Sequence, residues 1–432
     1  MSLRNVVWTW MYGRQNRRVR PMAVTQERIR GRTLFGIVLG EPRIFFLWCG
    51  NLASTAGVWM ISVASVAYLI DLKASPLMVG AIQTALTAPV LFLVIGGGIL
   101  ADRFIGRLYF PLLYFFLFLS GVALSVCVAL FAIREQTWLL ALAAIGSLNA
   151  LVMPAWQSMI SGLVPPSEIP TVAALHSVGA NLGKSGGSWI AAALIPLLGI
   201  AVTVSTASLL FAAMGFVVLR GRKFNSVFAA PPVQVNVHSS AIPPSILVLA
   251  FCSFWIALSA SSVWTLLPIA LSASGLASSD TIGFYFGIVG IGALFGLVVL
   301  HDFFLRFTSA MRISVLCVAL SISILVMPLG GLGYEFGLLG QGASWSLLGS
   351  TLNAEGLRFA SAASRGKAAA VHMFGTYSAF SIGGVGWGAS AQYLTTSTCF
   401  IIAAIIPLIV AIALPPLLSI SFRRSYVRPH QS

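Results

Sequence analysis

Between Glu168 and Arg220 the sequence carries one charged side chain, Lys184. It lies on a helical stripe, because Ser177, Asn181, Lys184, Ser185 and Ser188 recur at i, i+4, i+7, i+8 and i+11. Gly179, Gly183, Gly186 and Gly187 cluster on the other side, a smooth surface for close packing of another helix. At 1.5 Å per residue Lys184 is about 16 Å from either end of its apolar run, too deep to snorkel. A lysine so placed costs about 2.5–3.5 kcal/mol on insertion scales, so some gain must offset it. Two functional chemistries would do so: a cation facing an anionic group of a substrate, or a proton-linked switch. The structural alternative is an ion pair, or hydrogen bonds to helix carbonyls.

Weaker stripes accompany it. Asn51, Thr55, Val58 and Ser62 share a face of the first apolar run, and Asn149, Met153, Trp156 and Gln157 one of the fourth. Trp255, Ser259 and Ser262 do so in the seventh, and Gln341, Trp345, Leu348, Leu352 and Glu355 in the tenth. Gln83 stands alone in the second run, while Trp264 and Tyr285 are aromatic candidates. The candidate cavity set is therefore Asn51, Gln83, Asn149, Trp156, Gln157, Asn181, Lys184, Trp264, Tyr285, Gln341 and Trp345. Taken singly, each suits helix packing or interfacial anchoring as well as ligand contact. Glu355, near the end of its helix, is the carboxylate candidate for proton coupling beside Lys184, with a salt bridge to Arg358 as its alternative. His176 and His372 start the fifth and eleventh runs and are further protonation candidates, with a satisfied interfacial histidine as the alternative.

No enzyme chemistry is legible. The sequence lacks H-E-x-x-H, a phosphate-binding Walker loop, a Gly-x-Ser-x-Gly elbow and any carboxylate–histidine cluster, so no catalytic residue, metal or cofactor is expected. Without a nucleotide-binding element, pumping would have to draw on an ion gradient. The five cysteines lie apart in apolar stretches and read as small buried hydrophobes.

The elements that must position these residues follow from composition. Of 432 residues, 58% are hydrophobic and 8% charged, with mean hydropathy +0.95. A soluble domain carries about 25% charged residues, so soluble, disordered and nucleic-acid-binding classes are excluded. Twelve apolar runs fall near 44–70, 77–100, 109–132, 137–161, 173–195, 198–219, 244–271, 279–300, 312–330, 333–355, 368–393 and 398–419. Each approaches the ~20 residues that a transmembrane helix needs, and open strands are excluded by their unpaired backbone groups. The expected fold is an all-α polytopic membrane protein of twelve transmembrane helices.

Charge sets the orientation. With both termini cytoplasmic, twenty-two of the twenty-five basic residues fall on the inner face, and only Lys73 and Arg134 on the outer. This positive-inside bias accounts for the net charge of +15 without nucleic acid. Residues 1–43 read as a basic cytoplasmic arm on the anionic inner leaflet, 44–219 and 244–419 as six-helix bundles, 220–243 as a cytoplasmic linker and 420–432 as a basic tail. The N-terminus lacks the features of a cleavable signal peptide, and Met22 is an alternative start. Asp71 reads as a turn or cap.

The two bundles repeat each other. Val58-Trp59 matches Val263-Trp264, Ser54 matches Ser259, Ser75 to Gly80 matches Ser278 to Gly283, and Gly186-Gly187 matches Gly383-Gly384, at offsets of 197–205. Asp102 to Arg107 is echoed by Asp302 to Arg306. Two parallel six-helix pseudo-repeats around a central cavity are a known transporter architecture. The carboxylate and arginines after the second run could lock two helices together at the cytoplasmic end and release them in another state. Asp102, Arg103 and Arg107 are thus gating candidates, with Asp302 and Arg306 as a weaker copy; an interfacial, purely topogenic ion pair is the alternative.

The run Gly98-Ile99-Leu100-Ala101-Asp102-Arg103-Phe104-Ile105-Gly106-Arg107 resembles the G-x-L-A-D-R-x-G-R loop signature of the major facilitator superfamily, which adds Gly98 to the gating set. From about residue 42 to 420 the chain is similar to the branch holding the enterobactin exporter, macrolide efflux pumps and transmembrane secretion effectors. The markers are Leu47-Trp48, Gly57-Val58-Trp59-Met60, Ser75-Pro76-Leu77-Met78-Val79-Gly80, Pro154-Ala155-Trp156-Gln157 and Arg365-Gly366-Lys367. Gly106 comes one residue later than the signature has it, and Arg107 alone represents the usual basic pair. The run Lys184-Ser185-Gly186-Gly187-Ser188 lacks the family's Gly-Pro, a pattern linked with antiporters, so the resemblance carries transport further than antiport. It implies a proton-driven exporter of a polar or anionic small organic molecule (a siderophore, another secondary metabolite or a drug) across the bacterial inner membrane by alternating access. Its partners would be that substrate, protons and the bilayer, with no nucleic acid, and it would act as a monomer. The alternatives are a proton-coupled importer, and a non-transporting scaffold or sensor on the same fold.

Overall fold

Inside a bilayer each backbone polar group has to find its partner within the protein, and the described residues meet that demand with helices and no strands. The computed structural model describes residues 42–104, 109–163, 169–220, 243–359 and 365–426. Residues 1–41 of the basic arm, Arg107, residues 221–242 of the linker and residues 427–432 of the tail lie outside them.

The first half runs through α1 (Pro42–Asp71), α2 (Pro76–Phe104), α3 (Tyr109–Leu130), α4 (Glu135–Leu163) and α5 (Ile169–Arg220). The second runs through α6 (Pro244–Ala273), α7 (Ser279–Phe295), α8 (Ser309–Leu325), α9 (Leu332–Phe359), α10 (Arg365–Tyr393) and α11 (Thr396–Tyr426). A π turn, Gly296–Leu300, and one further turn, His301–Phe304, prolong α7.

The fifth and sixth apolar runs were expected as separate helices with a short link. They form one element, α5, interrupted at Gly199, whose φ of 82° and ψ of 171° are not helical. Glycine pays no Cβ penalty there, so a single residue turns the chain without a loop. Among the described residues nine helices are long and apolar enough to cross a membrane, the longest being the 47 residues Ala174–Arg220. At 1.5 Å per residue that is about 70 Å, roughly twice a bilayer core, so its two arms count separately. With these arms, and with α9 and α10, which are too polar for that measure, the long helical segments lie where the twelve apolar runs fall. Phe92, Leu140, Leu197 and Ile412 are exposed on the outer surface, as side chains facing acyl chains should be.

Because the helices alternate in direction, the described helix ends at Phe104, Arg220, Phe304 and Phe359 share one end of the bundle, here the basic end. The turns at 72–75, 131–134, 274–278 and 326–331 share the opposite end. Within the halves, α1 packs on α5 and α6 on α10, α2 on α4 and α7 on α9, α3 on α5 and α8 on α11. Between the halves two seams dominate, α2 with α10 and α5 with α7. Repeat-related glycines make both seams close. A Cβ on Gly384 would lie 2.6 Å from the Gly80 carbonyl, and one on Gly283 would lie 2.6 Å from that of Ser188. Hydrogen bonds cross at the same places: Thr84 Oγ1 donates to the Ser381 carbonyl (2.6 Å), and Ser185 Oγ to that of Gly287 (2.8 Å). Both seams are tight toward the opposite end, where α2 and α7 begin.

Candidate functional site

Between the halves lies a cavity of about 480 Å³. The first half supplies most of its wall, and most of its polar groups. Asn51, Ser54, Thr55 and Ser62 come from α1, Gln83 and Thr87 from α2, Asn149 and Trp156 from α4, and His176 and Lys184 from α5. The second half contributes chiefly rings: Trp264 from α6, Trp345 from α9, and Tyr377 and Phe380 beside Thr376 from α10. One wall can therefore hydrogen-bond while the other stacks.

Lys184 is the one lysine, arginine or carboxylate residue among the lining side chains. No carboxylate among the described residues pairs with it. Its Nζ instead lies 4.8 Å from the ring centre of Trp59 and 5.0 Å from that of Trp264. These indoles are themselves 4.7 Å apart, and Phe286 stands edge-on to Trp264 at 5.1 Å. Indole faces are electron-rich and partly replace the hydration the ammonium has lost, which explains how a lysine persists here without a counter-ion. Trp59 comes from α1 and Trp264 from α6, and the two rings meet tilted at 53° to each other. The glycines behind Lys184 allow this depth. Gly179 packs on Trp48, and Cβ atoms on Gly183 and Gly187 would run into the α1 backbone.

Nearer the basic end, Trp156 Nε1 donates to His176 Nδ1 at 2.8 Å, joining α4 to α5. Asn51 presents a buried amide Nδ2 with no partner among the described residues. Ser54 Oγ and Tyr114 Oη lie 3.5 Å apart.

Of the sequence candidates, Asn51, Gln83, Asn149, Trp156, Lys184, Trp264 and Trp345 stand on the cavity wall. Three others stand elsewhere. Asn181 Nδ2 donates to the Ser177 carbonyl of its own helix at 2.9 Å, and its backbone carbonyl faces Gly290 on the α5–α7 seam. The stripe on α5 is wide enough to serve two surfaces, cavity and seam, and Asn181 falls on the second. Tyr285 lines a separate depression of about 530 Å³ with Trp189, Asp280 and Phe284. Gln341 is fully buried, and neither its Oε1 nor its Nε2 has a partner. Gln157 belongs to α4, but its side chain is not among those described.

Glu355 is also off the cavity wall. It accepts a hydrogen bond from Ser309 Oγ and lies 3.7 Å from Arg358, the ion pair weighed against proton coupling. Asp302 and Arg306 are both exposed, with no ion pair to a described residue. Gly98, Asp102 and Arg103 fall in the last two turns of α2, where only the backbone is described, and Arg107 lies outside the described residues.

Sequence reasoning missed Tyr114, Thr87, Thr376, Tyr377 and Phe380 as wall residues. Tyr114 sits in a largely apolar helix and left no periodic signal. For α10 a signal existed: its low hydropathy sets it apart from the lipid-facing helices.

The family described as transmembrane secretion effector matches residues 40–422. No curated protein matches the sequence. Among solved structures, a POT family transporter in complex with a thioalcohol-conjugated peptide is similar at TM-score 0.69 and 15% identity, over 87% of this chain and 96% of that one. The nucleoside transporter NupG is similar at TM-score 0.65 and 12% identity, over 87% and 99%. A bacterial homologue of the iron transporter ferroportin, in an inward-facing state, is similar at TM-score 0.60 and 16% identity, over 88% and 98%. At these identities the likeness is one of fold.

Proposed function

The chain belongs to the transmembrane secretion effector family of the major facilitator superfamily, and from that premise we propose that it exports a polar or anionic small organic molecule by alternating access. The observation that carries this reading is Lys184, between two indoles and, among the described lining residues, the one lysine, arginine or carboxylate. A cavity of about 480 Å³ suits one small organic molecule rather than a peptide chain. The anionic group would pair with Lys184, the body would stack on Trp345 and Phe380, and Asn51, Gln83 and Asn149 would bind its polar edge. A siderophore, another secondary metabolite or an amphiphilic drug has this make-up.

The positive-inside bias makes the basic end cytoplasmic, in the bacterial inner membrane. The seams are then tight on the outer side, and the cavity, whose wall reaches Trp156 and His176 toward the basic end, belongs to a state that loads from the cytoplasm. The proton gradient is the proposed drive. Coupling falls to Lys184 rather than to Glu355, because Lys184 faces the cavity and Glu355 does not. One chain encloses the whole site, which supports action as a monomer.

Untargeted metabolite profiles of cells and spent medium test this, in a deletion strain complemented with the wild type or with Lys184→Ala, under iron-replete and iron-poor growth. The expected result is a compound retained in the deletion strain, released by the wild type, and retained again with Lys184→Ala at normal membrane abundance. A compound left in the medium by the deletion strain would reverse the direction to import. Full release by Lys184→Ala would remove that residue from the site.

A further inference from the structure

The ammonium that the proposed substrate would claim is already in use. Lys184 spends it on Trp59 and Trp264, and these two rings meet across the boundary between the halves. Counted along their helices, all three residues lie in the middle or outer part of the bundle, at the head of the cavity. Farther on, the seams close on Gly80, Gly384 and Gly283. In this outer part, Trp138, Ser188, Thr265 and Gln341 each bury a hydrogen-bonding atom with no partner among the described residues, as Asn51 and Arg312 do nearer the basic end. Buried polar groups are ordinarily paired, so each unpaired one calls for an explanation.

Resting on the alternating-access reading above, we propose that Lys184 is the latch of the outer gate. Shared between two repeat-related indoles, its ammonium holds the halves together at the Trp59–Trp264 contact, and a substrate anion that draws the ammonium away releases them. Binding and opening are thereby coupled through one charge. The empty transporter keeps its outer end shut because nothing else competes for the lysine. Ser188, Thr265 and Gln341 become the polar lining of the outer half of the path once the indoles part. The latch is selective by sign: a cationic compound in the cavity is repelled by Lys184 and cannot take it from the rings.

The test uses the full chain with its own cysteines replaced, carrying either Gln341→Cys or Ser188→Cys, in intact cells. A membrane-impermeant maleimide reads how often the outer end opens. Lys184→Met should speed labelling about tenfold at both positions, the scale of one lost desolvated cation–π contact. Lys184→Arg, whose planar cation also stacks on indole, should leave labelling slow. Millimolar benzoate, the simplest aryl anion, should speed labelling of the Lys184 chain and leave Lys184→Met unchanged. Gly80→Val serves as an independent wedge, since its side chain would meet the Gly384 carbonyl and prise the α2–α10 seam apart. Each variant is scored only after it elutes as a single species in detergent. Faster labelling with Gly80→Val but not with Lys184→Met overturns the latch and leaves alternating access standing. Labelling raised by neither overturns both. Benzoate without effect on the Lys184 chain overturns release by an anion.

Discussion

A lysine over two indoles and a glutamate tied to a serine are the two charges that matter most inside this bundle, and they divide the work. Lys184 has no carboxylate partner among the described residues and faces a cavity, so its cost can be offset by a ligand as well as by the rings. Glu355 is held by Ser309 and Arg358, joining the start of α8 to the end of α9. Arg358 is largely exposed, so the ion pair contributes little, and the hydrogen bond from Ser309 carries the tie. Glu355→Gln should therefore keep transport and its pH profile, while thermal unfolding in detergent reports a loss of about 1 kcal/mol. A flattened pH profile in that variant would return proton coupling to Glu355. The depth of Lys184 was legible from spacing alone, because charge is rare in apolar helices. Its partners were not: Trp59 and Trp264 lie 205 residues apart, and only packing of the two halves brings them together.

At the scale of the element, the repeat appears in how helices end. Gly275, with φ of 70°, closes α6: its amide donates to the Ser272 carbonyl and that of Leu276 to Leu271. The same pair of bonds closes α1, from Lys73 to Ile70 and from Ala74 to Leu69, but here the left-handed residue is Lys73, with φ of 54°. That position strongly favours glycine, since a Cβ crowds the adjoining carbonyl at a cost of about 1 kcal/mol or slightly more. Lys73→Gly should stabilise the protein by about 1 kcal/mol, and Gly275→Ala should destabilise it by a similar amount, both measured by thermal unfolding. No change at either site would mean that the caps open before global unfolding. Gly199 teaches a related lesson. Its glycine was visible in the sequence, but a break at one residue gives no hydrophobic period, so a two-residue link at 196–197 was expected where Gly199 alone suffices.

For the whole molecule, orientation and state both have direct tests. Cysteines introduced at Ser75 or Ala277 should react with an impermeant maleimide in intact cells, whereas cysteines within residues 221–242 should react only after permeabilisation. The reverse pattern would invert the topology and turn the cavity toward the outside. The sequence by itself determined the class of fold and the places of the apolar runs. These follow from burial in lipid, hydrogen-bond closure and charge asymmetry, which act on each segment locally. Seven of the eleven residues read as cavity candidates do stand on its wall, because a polar side chain in a lipid-spanning helix must face protein or water. Only the tertiary structure decided which protein surface each polar residue faces. Asn181 and Ser185 share a stripe with Lys184 yet meet α7, and Gln341 shares one with Trp345 yet is sealed from the cavity. A helical period of 3.6 residues assigns a side of a helix but cannot say what packs there, since the neighbour comes from another part of the chain and depends on which end of the bundle is closed.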